Sequence, residues 1–233
     1  MRFARFTAGL LMLPLLWAEC LVIWTIMPDA FVQDFPFLSR QLMALAGGFA
    51  AWLLLAMRIP VSNWFYVFGH ELTHAAWGLA TLSRFSKIRI TSNGGYCVVE
   101  NPGMFTTLAP YFIPFYLVLA LAVRAVLGIW FDMSGFATLW IGAMGFAYGF
   151  HVTSTIGTLV NVAQPDIREY GRFFSCVFIV AANLAFVAAG LALALGVPAG
   201  DFWNIARERV AGVYAATWEL ACAAAIRARR VAG

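Results

Sequence analysis

Residues 63–82 read NWFYVFGHELTHAAWGLATL, between Pro60 and Ser83. A helix over about 20 residues rises ~30 Å, the thickness of a bilayer's hydrocarbon core. The stretch is therefore long enough to cross a membrane. It also carries His70, Glu71 and His74 within one helical turn. A charged side chain at mid-span costs ~2.5–3.5 kcal/mol on insertion scales, so such residues face protein or a polar cavity and mark function. A polar clamp between helices is the bland explanation of this cluster.

The rest of the chain has the same texture. Of its 233 residues 63% are hydrophobic and 11% charged, and the mean hydropathy is +0.83. Soluble domains carry roughly 25% charged residues. This composition excludes a soluble enzyme and a disordered chain, and it leaves an all-α membrane protein. The net charge is +4, and the basic residues sit singly or in small groups between apolar runs. Those cations suit lipid headgroups and form no stripe for nucleic acid. Cys20, Cys97, Cys176 and Cys222 have no CxxC spacing, so neither a zinc knuckle nor a disulfide frame is expected.

Working outward, about six spans are expected, over 8–27, 42–57, 63–82, 104–130, 136–159 and 173–195. Asp29, Asp34 and Pro36 read as the first loop, and Pro110 and Pro114 as bends in the fourth span. Arg2 and Arg5 resemble the start of a signal peptide. The apolar run continues to Met27, however, and Glu19 beside Cys20 spoils a lipoprotein site, so an uncleaved span is expected. Between spans three and four, residues 86–99 place β-branched residues around Asn93-Gly94-Gly95, the pattern of a small β-hairpin. Arg84, Lys87 and Arg89 suit the membrane interface. The tail over 202–230 reads as an amphipathic interfacial helix rather than a seventh span; its apolar part, 210–226, holds Glu219 between arginines. The whole, residues 1–233, reads as one polytopic domain. Positive-inside counting balances between the two orientations.

The spacing His70-Glu71-Leu72-Thr73-His74 is HExxH. Imidazoles at i and i+4 lie on one helix face and can hold one Zn²⁺. Glu71, beside the ion without ligating it, can take a proton from the attacking water and return it to a leaving amine. A catalytic zinc needs a third protein ligand. Two candidates stand 15 residues apart, His151 in span five and Asp166 in the polar break Asn161-Val162-Ala163-Gln164-Pro165-Asp166. That separation is ~22 Å along one helix, so they do not both ligate unless the chain folds back. Depth counted along span five favours His151.

HExxH in a span, a hairpin, a further span and Asn-x-x-x-Pro-Asp downstream together resemble the site-2 protease family of M50 metallopeptidases, in particular its compact M50B-like bacterial members. The resemblance covers a core of about 60–175. It implies an intramembrane zinc protease with His70, His74 and Asp166 as ligands and Glu71 as base. It further implies that Asn161 steadies the substrate carbonyl. The implied partners are the lipid bilayer and a membrane-protein substrate, in a bacterial inner membrane. Ile167 stands where the family places glycine after the aspartate, and His151 is outside its motif. The competing functional classes are a non-proteolytic zinc-binding membrane protein of the same fold and a proton- or ion-coupled transporter.

Overall fold

A computed structural model of the chain describes residues 2–33, 35–58, 63–92, 94–161 and 164–232, and for 2, 28–33, 35–39, 161, 231 and 232 the backbone alone. Among them the elements run α1 (Arg2–Gln33), α2 (Phe35–Arg58), α3 (Asn63–Ala80), β1 (Phe85–Thr91), β2 (Gly94–Val99), α4 (Met104–Phe112), α5 (Phe115–Leu127), α6 (Ala137–Asn161), α7 (Pro165–Tyr170), α8 (Arg172–Ala194) and α9 (Ala199–Ala232). The expected first loop is helical at Asp29 and at Pro36, since α1 runs on to Gln33 and α2 begins at Phe35; Asp34 lies outside the described residues.

Among the described residues three helices are long and apolar enough to cross a membrane: Phe3–Met27 within α1, Arg40–Arg58 within α2, and α8. The pair α4 and α5 makes a fourth if it is one broken span, bent by 79°. The shortfall from six has a plain cause. α3 carries His70, Glu71 and His74, and α6 carries His151, Ser154 and several threonines, which dilute their apolar character. α9, with arginines along its length, is likewise not among the candidates.

The chain divides into two compact units, residues 1–38 with 173–233, and 39–172. The second contains nearly all of the expected core. In the first unit, Gly9 gives room to Phe173: a Cβ there would lie 2.7 Å from its ring. α9 lies along α1, with the Tyr214 hydroxyl donating to the Leu11 carbonyl at 2.9 Å.

In the second unit, glycines let α2 and α6 touch backbone to backbone. A Cβ on Gly48 would collide with the Gly142 carbonyl oxygen, and one on Gly145 with that of Leu45. This is the small-residue contact typical of membrane helices, where apolar burial alone does not drive association. Trp52 adds a hydrogen bond, Nε1 donating to Thr153 Oγ1 at 2.8 Å. α3 packs on the hairpin, α4 and α5. It ends where Leu82 adopts φ +59° and the Ser83 N–H returns to the Gly78 carbonyl at 2.8 Å, a left-handed helix stop. The hairpin pairs antiparallel, with Ile88 opposite Cys97 and Ile90 opposite Gly95. Asn93 of its turn lies outside the described residues. Pro114 separates α4 from α5: it has no N–H for the carbonyl four residues back, and Ile113 before it is extended at φ −92°, ψ 110°. Pro110 sits inside α4 without breaking it.

Candidate metal centre

α3 presents both imidazoles on one face, with ring centroids 4.9 Å apart. α7 brings in the third group. It starts with Pro165, whose fixed φ suits the first helical position, and Asp166 follows in its first turn. Asp166 Oδ2 lies 3.6 Å from His70 Nε2 and 3.5 Å from His74 Nε2. Two ligand atoms each ~2.1 Å from a tetrahedral zinc are ~3.4 Å apart, so these separations fit a shared ion with little adjustment. Candidate ligand atoms of the three residues all lie within 4.8 Å of one another. Among the described residues this is the group that could hold a metal ion, and His151 is not in it. The depth count assumed that span five continued as one helix. Instead α6 stops at Asn161 and the chain re-enters at α7.

Each donor is anchored from behind. The Tyr111 hydroxyl donates to Asp166 Oδ2 at 3.0 Å. Tyr66 Oη lies 3.1 Å from His70 Nδ1, and the Thr106 carbonyl 3.0 Å from His74 Nδ1. A proton on Nδ1 of each ring leaves Nε2 with a lone pair toward the cluster, the arrangement in which metal-bound histidines are usually held.

Glu71 is 7% exposed, tucked under β2. The Cys97 peptide N–H faces its carboxylate. Gly95 makes this approach possible, because a Cβ there would lie 2.6 Å from Val67 Cγ1 and 2.9 Å from Glu71 Cγ. Gly95→Val should push β2 off Glu71. With Glu71 as the base that the resemblance implies, a misplacement of ~1 Å would cost up to about 100-fold. Such a loss of turnover with unchanged bound metal is the expected result, read by activity and metal analysis of the same preparation.

His151, 8% exposed on α6, lines a cavity of about 20 Å³ together with His70, Tyr66, Ser154 and Tyr116. That is room for one water molecule beside the cluster. The Asn161 side chain is outside the described residues. Sequence reading missed Tyr66, Thr106 and Tyr111. Tyr66 was visible in principle, since it stands at i−4 from His70 on the same helix face. Comparison with known proteins adds nothing to this geometry: no family model, no curated protein and no solved structure matches the chain.

Proposed function

We propose that the chain is an intramembrane zinc metalloprotease, a multi-pass enzyme that hydrolyses peptide bonds in or near transmembrane segments of other membrane proteins. The observation that carries this reading is the convergence of His70 Nε2, His74 Nε2 and Asp166 Oδ2, with Glu71 one residue from a ligand. Two imidazoles and a carboxylate are the donor set of a catalytic zinc, which keeps its remaining position open. When bound, zinc supplies Lewis acidity toward the scissile carbonyl.

The chain's own residues do the rest. Glu71 takes the proton of the attacking water and delivers it to the leaving amine. Tyr66, the Thr106 carbonyl and Tyr111 hold the donors in place. The resemblance to site-2 proteases gives Asn161 the substrate carbonyl. It also gives the hairpin the task of pairing with an extended substrate segment, for which the edge of a two-stranded sheet is suited. In this reading α3 and α6 complete six spans, and the membrane is a bacterial inner membrane.

The test is cleavage of a transmembrane reporter by the purified protein reconstituted in liposomes. Activity should vanish with a chelator and return with zinc in one-to-one amount. Zinc-independent cleavage, or one equivalent of zinc with no cleavage of any of a panel of transmembrane reporters, would count against the protease.

A further inference from the structure

In a regular helix the N–H of residue 110 would donate to the carbonyl of residue 106. Residue 110 is proline, inside α4, and has no N–H to give. Proline in a helix interior usually kinks or ends it. Here α4 continues to Phe112, and the sharp bend comes only at Pro114. The consequence of Pro110 is therefore local: one buried carbonyl loses its helical partner. Thr106 is 1% exposed, so water does not replace the missing donor. A buried backbone carbonyl needs a hydrogen bond. The bond comes from across the helix interface, from His74 Nδ1 at 3.0 Å.

We infer that Pro110 is a positioning residue of the metal centre, because it keeps the Thr106 carbonyl for His74 Nδ1–H and so turns His74 Nε2 toward Asp166. This rests on reading His70, His74 and Asp166 as a metal site, but on no particular reaction. Alanine at 110 would supply the N–H that α4 lacks. The Thr106 carbonyl would then be engaged within its own helix, and His74 would lose its fixed tautomer. The two effects have opposite signs: the helix gains a hydrogen bond while the metal site loosens.

The experiment is Pro110→Ala in the full chain. It reads zinc affinity by competition with a chelating dye, thermal unfolding of the metal-free protein, and ¹⁵N signals of its three histidines. Zinc affinity should fall about 10- to 100-fold, the usual cost of removing an outer partner of a ligand. The unfolding temperature of the metal-free protein should hold or rise. The His74 signal should change from the Nδ1–H form to a mixture of tautomers. Wild-type zinc affinity with an unchanged His74 signal would overturn the inference. So would a parallel loss of affinity and metal-free stability, which would mean that the proline serves the fold alone. If the wild-type chain itself fails to bind zinc, the metal reading falls. The His74 signal of the metal-free protein still decides whether Pro110 controls that ring.

Discussion

Glu71→Gln is expected to lower reporter cleavage by about 10²- to 10⁴-fold, the range that a positioned general base contributes. Bound zinc should stay at one equivalent. The side chain is buried under β2, and glutamine has nearly its shape, so its close approach to Gly95 persists. The Cys97 N–H would face the amide oxygen. What disappears is the capacity to take up a proton. Rate and metal content measured on one preparation separate the two. A variant that cleaves as fast as the wild type would end the proposed mechanism, and one that loses its zinc would make Glu71 a structural residue instead.

Asp166→Ala is expected to remove the metal. Zinc binding in small three- and four-ligand sites amounts to ~10–16 kcal/mol, so one ligand in three is worth several kcal/mol and an affinity loss of about 10³-fold. Here the loss is compounded, because Asp166 also supplies the negative charge facing both Nε2 atoms and accepts from the buried Tyr111 hydroxyl. His151→Ala is the matched control. His151 lies outside the cluster, and its replacement should leave zinc affinity within about 10-fold, the low end of the cost of an outer-partner mutation. Chelator competition on the two variants reads the difference. The reverse order, zinc lost with His151 and kept without Asp166, would return the ligand set to the depth argument.

The HExxH pair was legible in the sequence because i, i+4 spacing is a property of the helix alone. The hairpin was legible through its alternation and its Asn-Gly-Gly turn. The third ligand was not fixed by the residues themselves. Counting depth along span five requires knowing that the span is continuous, and only the resemblance argued for a return at Pro165. The count of six exceeds the spans that composition alone identifies for a related reason. Length and boundaries located α3 and α6, but His70, Glu71 and His74 in the first and His151, Ser154 and the threonines in the second dilute the apolar signal that identifies a span. Pro110 and Pro114 read alike as bends. Their difference depends on tertiary partners: the carbonyl that Pro110 leaves open is met by His74, whereas the chain turns at Pro114.

The dilution of α3 and α6 also bears on how the protein is made. Segments enter a bilayer by partitioning according to their own composition. α1, α2 and α8 have the length and apolarity to do so unaided. The two helices that carry His70, His74 and His151 do not, and in the proposed arrangement their entry would depend on companions. For α6 the companion is α2, through the contact at Gly48, Gly142 and Gly145; for α3 it is the hairpin with α4 and α5. In the proposed membrane arrangement the zinc site is thus a late product of biogenesis. A half-inserted chain would hold Asp166 apart from the His70 and His74 pair, and the proposed hydrolytic capacity would arise only with completed assembly.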